Sequence, residues 1–169
     1  MKNLEPFSNT ELSVMFENFK EYMIIGGMPA IVNEFVKNKN YSGTLKMQKQ
    51  ILLDYEEDIT KYAKGLERGK ILNVYHKIPV FLGKENKKFQ ISKIETGARN
   101  REYLGTIEWL DNAGIINVCY CLEQPELPLG GNFNPDNYRI YFRDTGLLIG
   151  SLDEESQDDL RYNKNFNTY

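Results

Sequence analysis

Two runs in the second half of the chain most constrain its fold. "IINVCYCLE" and "YRIYFRD" place β-branched or aromatic residues at alternate positions, the period of a half-buried strand. Between them lies "QPELPLGGNFNPDN", whose Gly, Pro and Asn content is that of a turn. The second run is expected to pair with the first, and the long loop to become a wing. Ahead of them, "QISKIETGARN" reads as a short helix and a turn. "NREYLGTIEWLDNAG" reads as a helix with Tyr103, Ile107 and Leu110 inward, stopped by Gly114. Helix, helix, turn, helix, strand, long turn, strand is the order of a winged helix.

The first third is helical by pattern. A helix capped by Ser8 or Thr10 carries Leu12, Met15, Phe16 and Phe19 at helical spacing and ends at Gly26-Gly27. Pro29 suits the first turn of the next helix, "MPAIVNEFVKN". A long helix over residues 44–64 repeats Leu45, Leu52, Tyr55, Ile59 and Tyr62 as one buried stripe. Another, over residues 66–78, sets Ile71, Val74, Tyr75 and Ile78 on one face. "TGLLIGSL" reads as a short closing helix. The final "DEESQDDLRYNKNFNTY" is acidic and polar, and is expected to be a linker or a frayed end.

The 169 residues leave room for one ordinary domain or two small ones, and 41 % hydrophobic content supports a packed core. A net charge of −3 argues against a wholesale attraction to nucleic acid. Cys119 and Cys121, two apart in an apolar run with no secretory signal ahead, imply a reducing, cytoplasmic setting and no disulfide. No apolar run approaches the roughly 18 residues that a membrane span needs, so no membrane partner is expected.

Each candidate for chemistry has a plainer reading. Gly26-Gly27-Met28-Pro29 could cradle a phosphate, but no Lys lies nearer than Lys20 or Lys37, and helix punctuation is the better reading. Asp54 and Asp58 share a helix face beside Glu56 and Glu57; with no further ligand at a fixed offset, a solvated acidic face is expected rather than a metal site. His76 is the only histidine, which gives a triad no support and reads as a partly buried structural residue. Two cysteines and one histidine make no convincing zinc site, so the cysteines read as small apolar strand residues. No catalytic, cofactor-binding or metal-binding residue is therefore expected.

The runs "KKFQISKIETGARNREYLGTIEWLDNAGIINVCY", "PELPL" and "YRIYFRDTGLL", with "YMIIGGMPAIV" and "DYEEDITKYA" ahead of them, resemble one family. It is the AAA+-superfamily ATPases of bacteria and archaea that carry a C-terminal domain of unknown function. The likeness spans about residues 16–148. It implies an order of ATPase core, helical lid, winged helix and C-terminal domain. The chain departs from that order in lacking a G-x-x-x-x-G-K-[ST] phosphate loop, so ATP and Mg are expected in the parent protein and not here. An excised fragment or a truncated gene product is the simplest account. Its partners would be the ATPase core and C-terminal domain of the parent, and Asp58 could meet a basic group of that core.

The expected fold is mainly α with a small antiparallel β wing. A lid-like helical subdomain fills residues 1–64, a winged helix 65–152, and an acidic tail or linker 153–169. The expected function is a non-catalytic coupling or interaction module. The alternative is a winged-helix DNA-binding domain. In that case Lys87, Lys88, Lys93, Arg99, Arg101 and Thr106 would be the contacts, with Lys84 nearby and Trp109 and Asn112 on the same exposed side. Glu102, Glu108 and Asp111 on the same helix oppose phosphate binding. Leu127, Leu129 and Phe133 on the wing loop either dock on another domain or fold back over their own core.

Overall fold

The computed structural model describes residues 6–163. Seven α-helices and one hairpin make up its regular structure: α1 (Asn9–Ile25), α2 (Pro29–Asn38), α3 (Ser42–Tyr62), α4 (Leu66–Leu82), α5 (Leu104–Asn112), β1 (Ile116–Leu122), β2 (Phe133–Phe142), α6 (Thr145–Gly150) and α7 (Glu154–Asp158). The chain is mainly α with one small antiparallel sheet. It divides into two compact units. Among the described residues, one is Gln50–Arg143, and the other joins residues 6–49 to residues 144–163. The boundary expected at residue 64 falls in the turn between α3 and α4, whereas the units part within α3 and again ahead of Asp144.

In the unit formed by the chain ends, Ser8 caps α1. Its hydroxyl oxygen accepts from the Glu11 backbone while the Glu11 carboxylate accepts from the Ser8 N–H at 2.8 Å, a reciprocal box that satisfies two donors at the helix start. The Ser8 hydroxyl also donates to that carboxylate at 2.7 Å, and this bond, followed by the one from the Ser8 N–H, holds the Glu11 carboxyl below its usual range. The core gathers Ile24, Ile25, Ile31, Phe35, Leu147, Ile149 and Leu160. Gln48 is buried among them and donates to the Ile24 and Ile25 carbonyls at 2.9 and 3.3 Å. Those carbonyls close α1 and have no partner within the helix, so the glutamine removes a desolvation penalty.

The acidic end departs from expectation. Asp153 caps α7, accepting from Ser156 N and Oγ at 2.9 and 2.8 Å, and a π-helical turn follows at Asp159–Asn163. Gln157 and Leu160 are fully buried, and Gln157 donates to the Gly150 and Leu152 carbonyls. Up to Asn163 the segment is therefore folded structure rather than linker, and residues 164–169 lie outside the described ones.

The other unit carries the antiparallel hairpin behind a run of helices and 3₁₀ turns. α4 leads to a 3₁₀ turn at Ile91–Lys93, a second at Asn100–Glu102, α5, and the β1–β2 hairpin. Phe89 N donates to the Tyr138 carbonyl at 2.9 Å, a single ladder bond on the free edge of β2. The expected inward stripes hold on α4 (Ile71, Val74, Tyr75, Ile78) and on α5 (Tyr103, Ile107, Leu110), all buried. α4 was expected to end before Pro79 but continues to Leu82; Phe81 and Leu82 are buried, and that burial offsets the lost helix bond at the proline. The α3 stripe is looser than expected, with Ile59 buried but Tyr62 59 % exposed.

β1 and β2 pair from Ile116↔Phe142 to Tyr120↔Tyr138, then resume at Cys121↔Asn134. Residues 135–137 are thus extra on β2 alone, a bulge within what was expected to be all loop. Aromatic rings run along the hairpin: Phe81 to Phe89 at 4.6 Å, Phe89 to Tyr138 at 6.2 Å, Tyr138 to Tyr120 at 5.7 Å and Tyr120 to Phe133 at 4.8 Å. Such pairs add to the area they bury, and they stiffen the wing from its base outward.

Candidate functional site

The most unusual surface is the first helix. Leu12, Met15, Phe16 and Phe19 form the helical stripe that their spacing predicts, but it stays largely open: they are 37, 50, 61 and 55 % exposed. Phe7, Val14 and Tyr22 are exposed beside them. Leu12, Met15, Phe16 and Phe19 line a shallow apolar groove, and Phe7, Val14 and Met15 line a second. The buried part of α1 is its end, Ile24 and Ile25. A contiguous apolar patch of this kind, rimmed by Glu11, Asn18 and Lys20, is the mark of a contact surface rather than of scattered exposure.

Gly26 and Gly27 have a structural task. Gly26 takes φ +75°, and a side chain there would meet the Asp144 carboxylate. Asp144 Oδ2 accepts from Gly27 N at 2.7 Å and Oδ1 accepts from Gly146 N at 2.8 Å, so one carboxylate fastens the α1–α2 turn to the start of α6. Gly146 is needed for the approach: a Cβ there would stand 2.5 Å from the Ile25 carbonyl and 2.7 Å from Gln48 Nε2. The residues do not fit a nucleotide phosphate. The donor it would use is already bound, and an anionic side chain occupies the approach.

The six residues expected to touch DNA separate. Lys93, Arg99 and Arg101 are exposed. Lys88 is half-buried, and so is Lys87, whose ammonium donates to the Leu82 carbonyl at 2.9 Å and closes α4. Thr106 is a correction. It is buried, because with Tyr103, Ile107 and Leu110 it falls on the inward side of α5 at steps of three and four. Trp109 is half-buried and Asn112 exposed. Glu102, Glu108 and Asp111 are exposed as expected. The wing carries Leu127, Leu129 and Phe133 outward, with Leu127 86 % exposed.

Other candidates resolve into ordinary contacts. Glu56 pairs with His76 at 3.0 Å across α3 and α4, and His76 is exposed where partial burial was expected. Asp54 accepts from Gln50 Nε2 at 2.8 Å. Among the described residues no group of three or more His, Cys, Asp or Glu side chains could hold a metal ion. Among them, too, no helix is long and apolar enough to cross a membrane. Cys119 and Cys121 are a second correction: both are exposed, on the outer face of β1, rather than packed as small apolar residues.

Burial raises four phenols, Tyr75, Tyr103, Tyr120 and Tyr138. Tyr103, whose hydroxyl donates to the Glu95 carboxylate, and Tyr138, whose buried hydroxyl has no partner among the described residues, are each pushed up to about 12, first by burial. Tyr75 is pushed higher by burial and then by Glu56, and its hydroxyl donates to the Leu52 carbonyl at 3.1 Å.

No curated protein and no solved structure matches the chain. One family model does, over residues 16–158, well beyond half of the chain. The match takes in the GG turn, Asp144 and the whole hairpin, so the chain belongs to the family described as Domain of unknown function (DUF8612).

Proposed function

We propose that this chain is a non-catalytic interaction module of an AAA+-superfamily ATP-binding protein, and that it docks on the ATPase core of its parent through the apolar stripe of α1. The observation that carries the reading is that stripe, with Phe16 and Phe19 more than half exposed on a well-capped helix. Burying the exposed remainder of such residues contributes about 1 kcal/mol each, and the stripe together is enough to fasten a module to a neighbour. The occupant is inferred from the resemblance of "YMIIGGMPAIV" and "DYEEDITKYA" to the lid region of those ATPases. In this reading ATP and Mg bind the core, the C-terminal domain of the parent is the second partner, and the setting is the cytoplasm.

The test is ATP hydrolysis by the longest open reading frame that contains the chain, wild type beside Phe16→Asp/Phe19→Asp. The reading expects hydrolysis that falls several-fold in the double variant while the isolated variant chain keeps its helical circular dichroism. A frame without hydrolysis, or a variant hydrolysing at the wild-type rate, overturns it.

A second reading has one observation in its favour. Lys93, Arg99 and Arg101 stand exposed ahead of α5, the helix that enters the major groove in DNA-binding winged helices. The exposed Glu102, Glu108 and Asp111 weigh against it.

A further inference from the structure

The outer face of the hairpin carries chemistry that the docking reading leaves unused. Cys119 and Cys121 alternate along β1 with Tyr120, whose ring lies against Tyr138 on the inner side. Both thiols are free and exposed. Cys119 sits opposite Arg139. Both cysteines line one cavity of about 300 Å³, together with Tyr120, Asn137, Tyr138, Arg139 and Tyr141. The ladder register shifts between Tyr120 and Cys121, where residues 135–137 are extra on β2, while β1 itself runs on as strand through both cysteines, and the extra length contributes Asn137 to the cavity.

The spacing decides what two such thiols can do. Residues two apart on a strand are about 6.6–6.8 Å apart, and their Cβ atoms stand nearly parallel. A disulfide needs Cβ atoms about 3.5–4.5 Å apart, so direct oxidation within the strand is disfavoured. A sulfur–metal–sulfur bridge is longer. At about 2.3 Å per metal–thiolate bond it spans about 4.6 Å, which two thiols leaning toward each other can reach without moving the backbone. Zinc would require two more ligands, and among the described residues no third His, Cys, Asp or Glu joins the pair. Of the metals that thiolates select, copper(I) is the monovalent one.

We propose that Cys119 and Cys121 form a two-coordinate site for a soft monovalent cation of the copper(I) class. On binding, each thiol gives its proton to solvent and each sulfur forms one bond to the metal. One M⁺ and two thiolates make a bridge of charge −1, with two protons released. The Arg139 guanidinium opposite Cys119 offsets that charge. The weak contact of the Cys121 thiol with the Leu122 carbonyl, at 3.6 Å, is given up. The site is independent of the α1 surface and stands or falls separately.

The experiment titrates the reduced full chain, under anaerobic conditions, against copper(I) held by the coloured chelator bicinchoninate. Loss of the chelate colour counts the metal withdrawn. The proposal expects one copper per chain, with the size-exclusion elution volume unchanged by the metal. Cys119→Ser and Cys121→Ser should each fail to compete, and Arg139→Gln should compete about tenfold less well. Both cysteines are exposed, so the serine variants should keep the wild-type circular dichroism. Three results would overturn the proposal: a wild-type chain that withdraws no copper, single-cysteine variants that withdraw as much as wild type, or a chain that dimerises on metal.

Discussion

The backbone N–H of Gly27 donates to Oδ2 of Asp144 at 2.7 Å, fastening together positions 117 residues apart. The other carboxylate oxygen caps α6 through Gly146. Charge-assisted bonds of this kind are worth about 1.5–3 kcal/mol each. Asp144→Ala is therefore expected to lower unfolding free energy by about 2–4 kcal/mol in a urea titration. A loss under about 0.5 kcal/mol, the scale of a surface substitution, would refute the latch.

The two glycines beside it should behave differently. Gly26 has φ +75° and no room for a side chain, whereas a Cβ on Gly27 would meet the Tyr22 ring at an ordinary 3.5 Å. Gly26→Ala should cost several kcal/mol and Gly27→Ala about 1 or less. Thermal melts of the two variants compare them directly, and equal melting temperatures would contradict the assignment.

The buried phenols make stability fall in alkali. An unfolded tyrosine titrates near about 10, while Tyr103 and Tyr138 titrate near about 12 in the fold. The folded state holds those protons more tightly. Their contribution is thus complete below about pH 10 and is lost as pH rises through about 12. Denaturation midpoints should drop across that window. Two variants separate the causes. Tyr138→Phe removes a buried hydroxyl that has no partner among the described residues and should be neutral or stabilising by about 1 kcal/mol; Tyr103→Phe loses the bond to Glu95 and should destabilise by about 1 kcal/mol.

If the second reading were correct, Lys93, Arg99 and Arg101 would contact phosphates. Binding to a labelled duplex would then fall steeply with salt, by about 0.9 log units per log unit of salt for each phosphate contacted. The interaction reading predicts no binding at about 50 mM salt, or a slope unchanged in Arg99→Ala/Arg101→Ala.

The sequence made the second unit legible because its signals are local. Ile71, Val74, Tyr75 and Ile78 follow one helical period, and Tyr138, Ile140 and Phe142 follow a strand period. What stayed hidden depends on distant residues. Nothing near Asp144 announces that Gly27 lies against it, and Gln48 reads as a polar helix residue until the α1 carbonyls are seen above it. Gln157 and Leu160 bury a segment whose acidic composition resembles a tail. Spacing located the α1 stripe, but spacing cannot say whether a stripe faces a core or water. Thr106 and the two cysteines failed in opposite directions for the same reason. Small residues carry little hydrophobic signal, and burial is decided by which side of the element they fall on.

The central claim is that α1 is a contact surface. Isothermal titration of this chain with the ATPase core that the proposal places in its reading frame tests it most directly. Wild type should bind with a negative heat-capacity change, the mark of apolar burial, and Phe16→Asp/Phe19→Asp should show no binding while remaining folded. Equal affinity of wild type and variant, or no binding by either, would contradict the account.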